Sequence, residues 1–246
     1  MKVSIIINIL NSHEAVRRQI LYFRKMNLPE EVEIIFVDDG SNPPLQLPEV
    51  PLKNFTIYYT GDKRPWTQGL ARNMGARFAR GENLMMTDID HIFSKESIEA
   101  SLTFTGDKMA FIRYYGILDE NGNLITDIDK LIEFGLHPGR LTGRRGISAG
   151  SHGNTFTIKR SVYFELGGYK ERHCVGMMHQ GKRKGEDSFF NWAYTKNSIA
   201  GRYKLKETGP NIYVFPIGKF HVNGDENPHG LFHSLSHESV PQPMMP

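Results

Sequence analysis

Cysteine is nearly absent from this chain. Cys174 stands alone among 246 residues, which excludes an internal disulfide and a cysteine-built zinc site. Tryptophan is almost as scarce, with only Trp66 and Trp192. No apolar run is long enough to span a bilayer, and the one near the N-terminus, Val3 to Ile7, is too short for a signal peptide. No internal repeat is visible. Neither sign of charge dominates, since 30 Lys and Arg stand against 27 Asp and Glu. The resulting +3 admits an anionic ligand, but no long basic run gives a nucleic-acid signal; the densest cluster, Lys182-Arg183-Lys184, reads as a solvated loop. These absences lead us to expect a soluble, cytoplasmic protein, and 39% hydrophobic residues are those of a folded globule rather than a disordered chain.

What is present is an alternation of strand and helix. Val3 to Ile7 is a β-branched apolar run of the kind buried on both faces of a sheet. From His13 to Met26 the apolar residues Val16, Ile20, Leu21 and Phe23 fall at helical spacing, and Glu33 to Val37 is a second buried strand. This order predicts a βαβ unit with a parallel sheet. A proline-rich connection follows, then a strand over Phe55 to Tyr59, a helix over Gly69 to Arg80, and a strand through Met86. Gly75 and Ala79 are expected to let that helix lie close to the sheet. Further on the pattern loosens: a strand over Met109 to Tyr115, a helix over Asp127 to Phe134, a Gly-, Arg- and His-rich loop from Gly135 to Gly153, and a strand over Asn154 to Ile158. Ser161 is placed to cap a helix running through Leu166, a later helix carries Phe189 to Tyr194, and Asn211 to Phe215 forms a last strand.

Three clusters carry chemistry. Leu84-Met85-Met86-Thr87-Asp88-Ile89-Asp90-His91 is an apolar strand that delivers two carboxylates at its carboxyl end, the edge where open α/β sheets bind ligands. Such acids suit a hard cation, Mn²⁺ or Mg²⁺, although Asp-x-Asp is also common in surface turns. Asp38-Asp39-Gly40-Ser41 closes another buried strand at the same edge, either as an Asp-Gly turn or as a carboxylate for a ribose hydroxyl or base N–H. Arg72, in the helix before the Asp88 strand, is open to a diphosphate or to a pairing with Asp88. Glu186 and Asp187 open an aromatic helix, as N-terminal caps or with Asp187 as a general base.

In order, Val37-Asp38-Asp39-Gly40-Ser41, Gly69-x-Ala71-Arg72-Asn73-x-Gly75, Asp88-Ile89-Asp90, Gly167-Gly168-Tyr169 and Gly185-Glu186-Asp187 resemble the family-2 glycosyltransferases over about Lys2 to Trp192. The Gly167 to Asp187 segment is also similar to the carboxyl-terminal part of the β-1,4-galactosyltransferases. The resemblance implies an α/β, GT-A fold with a Rossmann-like, mostly parallel central sheet flanked by helices. It implies a single catalytic domain over 1–237, with a nucleotide-sugar half in 1–105, a catalytic and acceptor half in 106–237, and a flexible tail in 238–246. It also implies a metal-dependent, inverting, hexosyltransferase-like enzyme using a nucleotide-sugar, most simply a UDP-sugar. In that reading Asn8, Asp38, Asp39 and Arg72 lie on the donor, Asp88 meets its ribose or sugar, Asp90 and His221 bind the metal, and Asp187 is the base. Trp66, His152, Asn154 and Glu186 fall on the acceptor side, whose substrate the residues do not name. The Gln-x-x-Arg-Trp acceptor motif of polysaccharide-extending relatives is absent, which argues against a processive polymerase.

Two rivals are weaker. A nucleotidyltransferase would bring a Gly-rich loop after the first strand, where this chain has Asn8-Ile9-Leu10-Asn11-Ser12-His13. A non-catalytic nucleotide- or sugar-binding module would not need its acids intact. His229, His233 and His237 share a four-residue spacing, but in a Pro- and Ser-rich tail that spacing more often holds nothing.

Overall fold

The computed structural model describes residues 1–46, 48–49, 52–64, 67–118, 144–175 and 185–214, with 121, 125, 127, 129–130, 178–179, 182–183, 221–222 and 225–226. For residues 14, 114–118, 144–150, 152, 178–179, 182–183, 214, 221–222 and 225–226 the backbone alone is described.

The chain begins with β1 (Val3–Ile9), α1 (His13–Met26) and β2 (Val32–Asp38), the expected βαβ unit, with β1 and β2 paired in parallel. Next come β3 (Phe55–Tyr59), α2 (Gln68–Phe78), β4 (Asn83–Thr87), a short β5 (His91–Phe93) and α3 (Lys95–Thr103). The second part holds β6 (Lys108–Leu118), β7 (Arg144–Lys159), α4 (Arg160–Glu165), a 3-10 turn at Glu171–His173, α5 (Glu186–Ile199) and β10 (Glu207–Val214). Two hairpins of two-residue strands, β8 (Met178–His179) with β9 (Lys182–Arg183) and β11 (His221–Val222) with β12 (Asp225–Glu226), stand apart.

Eight strands form one sheet in the order β3-β2-β1-β4-β7-β6-β10-β5. The first four are parallel, β7 runs antiparallel to both β4 and β6, and β10 is parallel to β6. Alternation along β1 explains the layering. Ile5, Ile7 and Ile9 face a core with Val16, Ile20 and Phe23 of α1 and Ile98 of α3, while Ile6 faces the other core with Ala71 and Ala76 of α2 and Phe190 of α5. Gly75 makes the α2 contact: a Cβ there would sit 2.5 Å from Ile6 Cγ2, and Ala79 beyond it is buried.

Three expectations change. Residues Arg144 to Gly153, read as loop, are the first part of β7 and pair with β6. That pairing is interrupted by register shifts between Ala110 and Ile112 and between Arg113 and Tyr114, so the strand carries no clean alternation. Ser161 does not cap α4; the helix starts at Arg160 and the cap position is Lys159. The last strand starts earlier, at Glu207. Among the described residues no helix is long and apolar enough to cross a membrane. Most of the helix expected over 127–134, and the 229/233/237 histidines, lie outside the described residues.

Candidate active site

The carboxyl ends of β1, β2 and β4 open onto one crevice, and short polar loops shape it. Asp38 is buried, and both its oxygens accept backbone N–H bonds at 2.8 Å, Oδ1 from Ser41 and Oδ2 from Leu45. It builds the loop. Gly40 turns there with a φ of 92°. The Ser41 hydroxyl accepts the Asn11 N–H at 2.9 Å and Asn11 Oδ1 accepts that of Asn42 at 2.8 Å, stitching the β1 and β2 loops together.

Asp39 is held by side-chain hydroxyls instead. Oδ2 accepts the Thr67 hydroxyl at 2.8 Å and Oδ1 that of Thr60 at 3.2 Å. Burial raises its pKa to about 6 against the lowering effect of those two hydroxyls. On neighbouring β1, Asn8 Oδ1 is buried and accepts no hydrogen bond among the described residues.

Arg72 of α2 is fully buried and donates through Nη2 to Asp88 Oδ1. Its Nε and Nη1 are buried with no hydrogen-bond partner among the described residues, and its guanidinium carbon lies 5.9 Å from the Tyr169 ring centroid. Burial disfavours the guanidinium charge, but Asp88, with smaller contributions that include Glu186, raises its pKa overall. The pairing with Asp88 foreseen as one alternative is therefore present.

Asp88, Asp90 and His91 form the cluster that could hold a metal: one ligand atom from each lies within 4.8 Å of the others. His91 is fully buried, with its Nδ1 at 3.1 Å from the hydroxyls of both Thr87 and Thr155. Two carboxylates and an imidazole are a donor set that Mn²⁺ accepts readily and Mg²⁺ through its oxygens. His91 carries no expected role in the sequence, where its adjacency to Asp90 is the available signal. His221, expected as the histidine ligand, lies in β11, and its side chain is outside the described residues.

From the other side α5 brings Glu186 and Asp187 in its first turn, behind Gly185 with a φ of 65°. Buried Glu186 accepts from Gln68 Nε2 of α2. Asp187 Oδ1 accepts the Ser188 N–H at 2.7 Å. Tyr169 joins the two sides: its hydroxyl donates to Asn154 Oδ1 at 3.0 Å, and its backbone is gripped by Asn73, whose Oδ1 accepts the Tyr169 N–H at 2.9 Å and whose Nδ2 donates to the Tyr169 carbonyl at 2.7 Å. The Tyr169 phenol is pushed far up by burial, against Arg72 and with the help of Asp187, Glu186 and Asp88, so these three carboxylates share one neighbourhood. Neither Asn73 nor Tyr169 was singled out in the sequence, although both lie inside quoted motifs. Of the acceptor-side residues, Asn154 is buried next to Tyr169, while the His152 side chain and all of Trp66 are outside the described residues; the other tryptophan, Trp192, is 62% exposed under the Lys196 ammonium.

Comparison with known proteins agrees with this fold. A curated relative, the uncharacterized glycosyltransferase YfnE of Bacillus subtilis (strain 168), is 31% identical over 99 residues, which are 40% of this chain and 25% of YfnE. Among solved structures, S. aureus TarS 1-349 in complex with UDP-GlcNAc superposes with a TM-score of 0.55 at 16% identity, over 92% of this chain and 62% of that one. Mannosyltransferase PcManGT from Pyrobaculum calidifontis, in complex with GDP-Man and Mn²⁺, superposes with a TM-score of 0.51 at 15% identity, over 87% of this chain and 56% of that one. This chain therefore spans a quarter of that curated relative and less than two thirds of these structural neighbours. The sequence model described as "Glycosyltransferase like family 2" matches residues 4–177, most of the chain. The chain belongs to the glycosyltransferase-like family 2 and has the GT-A fold.

Proposed function

We propose that this chain is a metal-dependent, inverting glycosyltransferase that moves a sugar from a nucleotide-sugar, most simply a UDP-sugar, to an acceptor hydroxyl. The observation that carries the reading is the convergence on one crevice of Asp39, Asp88, Asp90 and His91 from the strand ends and of Asp187 from α5. In this proposal residues 1–105 serve the donor and 106–237 the acceptor and the proton transfer. Asp39 and Asn8 receive the ribose hydroxyls and a base N–H, and Asn8 has a buried acceptor atom to offer. Arg72 holds Asp88 towards the sugar through the pairing of its Nη2 with Oδ1. Asp90 and His91 with Asp88 would hold the cation, and His221 remains our further ligand. Bound there, Mn²⁺ or Mg²⁺ supplies positive charge against the diphosphate as negative charge builds on it.

Asp187 takes the proton from the acceptor hydroxyl. The oxygen then forms its bond to the anomeric carbon as the bond to the diphosphate oxygen breaks, and the nucleoside diphosphate leaves with that electron pair. A single base and in-line displacement invert the anomeric centre. Asn154 and Glu186, with His152 and Trp66, are assigned to the acceptor side. Asp187→Asn tests the reading: calorimetry should find UDP binding retained while transfer drops by about 100-fold or more. Transfer at near wild-type rate would remove Asp187 from this role.

A further inference from the structure

Lys108 opens β6 with only 1% of its surface exposed, yet among the described residues it has no carboxylate in ion-pair contact. Its ammonium sits in an aromatic box, 4.1 Å from the ring centroid of Phe156, 5.2 Å from Tyr194 and 5.3 Å from Phe190. The hydrogen bond it makes runs to Asn191 Oδ1. An apolar side chain would fill this box at lower desolvation cost. What an ammonium adds is direction. It only donates, so Asn191 must turn its oxygen inward and its amino group outward. That amino group donates at 2.8 Å to the Gly153 carbonyl on β7 and at 2.7 Å to the Asp187 carbonyl, one turn earlier on α5.

We propose that Lys108 is a positioning residue for Asp187: through Asn191 it clamps the first turn of α5 onto β7 at Gly153. This rests on the reading of Asp187 as the base. The groups facing the ammonium are Asp187 from α5 and Lys206 from the segment ahead of β10, while β7 presents the Phe156 ring. Burial lowers the Lys108 pKa to about 7, Lys206 adds to that lowering and Asp187 opposes it.

The test reads the clamp without needing a substrate. In the wild-type chain labelled at lysine Cε, NMR should find one lysine titrating near neutral pH, and Lys108→Met should erase that titration. Asp187→Asn should move its midpoint down. In Lys108→Met, hydrogen exchange of the amides of residues 190–193, which close the first turn of α5, should quicken by about tenfold relative to the rest of the fold. Asn191→Ala should give the same local quickening and serves if Lys108→Met does not fold. Unchanged exchange in the folded variants, or a Lys108 midpoint unmoved by Asp187→Asn, overturns the proposal. If Asp187→Asn instead retains sugar transfer, the base assignment falls while the clamp stands.

Discussion

Gly153 and Asp187 touch across the β7–α5 contact so closely that a Cβ on Gly153 would sit 2.2 Å from Asp187 Oδ2. The carboxylate lies against bare backbone. A misplacement of about 1 Å in a reacting group costs on the order of 100-fold in rate. Gly153→Ala should therefore lower kcat for sugar transfer by about 100-fold while UDP affinity, measured by calorimetry, stays within about twofold. An equal loss in both would mean that the methyl group disrupts the whole crevice.

With the donor role proposed for Asp39, nucleotide binding should have an acid limb. Burial holds its pKa at about 6 rather than the ordinary 3.8, so it gains its proton as the pH falls through 6 and loses its capacity to accept two hydrogen bonds. UDP affinity should fall by about tenfold per pH unit below that point and level off above it. For stability the sign is opposite to that of a salt-bridged acid. Between pH 3.8 and about 6 the folded state holds a proton that the unfolded state has released, so this group's contribution declines as pH rises through that window and is flat above it. Asp39→Asn should remove both slopes, by calorimetry and by urea denaturation at a series of pH values.

Arg72 and Asp88 are a pair in which one member is wholly buried and the other 26% exposed at the side chain. Arg72→Met removes the guanidinium and leaves Asp88 beside Glu186 and Asp187 without its counter-charge. The expected loss is about 3 kcal/mol, seen as a Tm lower by roughly 6–12 °C. Arg72→Lys should recover less than half of it, since a point charge cannot reproduce the fork. A Tm within about 2 °C of wild type for the Met variant would show that the pair carries little of the fold.

The Asp88, Asp90 and His91 cluster predicts a chelation phenotype. EDTA should abolish transfer, and Mn²⁺ should restore it and tighten UDP binding by about tenfold. In Asp90→Asn added Mn²⁺ should change UDP affinity little. Full activity in chelator would remove the metal role.

Much of the first hundred residues could be read directly. α1 runs from His13 to Met26 as periodicity predicts, because Val16, Ile20 and Phe23 bury one apolar face, and β3 runs from Phe55 to Tyr59 as expected, with Ile57 turned inward. α3 was not foreseen, and the reason is physical. Its buried side includes Ser97 and Ser101 beside Ile98, with Ser101 bonded to Thr157 of β7 at 2.9 Å, so the face that goes inward is half polar. β5 is three residues long and is held to α1 by Gln19 and Tyr22, through bonds to the carbonyls of His91 and Phe93. The start of β7 hid behind glycines and arginines because its ladder to β6 is backbone work. In the site, the acids announced themselves as strand endings, whereas Asn73, Tyr169 and Lys108 act through partners 90 or so positions away in sequence, such as Asn73 with Tyr163 and Tyr169 at separations of 90 and 96. No spacing rule reaches that far.

β7 also decides how the protein can move. Its carboxyl-terminal residues Phe156 to Lys159 are laddered to β4, which leads into Asp88, and the same strand pairs with β6 along its length while Gly153 supports α5. Rotating one half of the crevice against the other would tear that ladder. The residues that β4 delivers and the first turn of α5 are therefore carried on one continuous hydrogen-bonded frame, so a strain introduced into β7 reaches both at once.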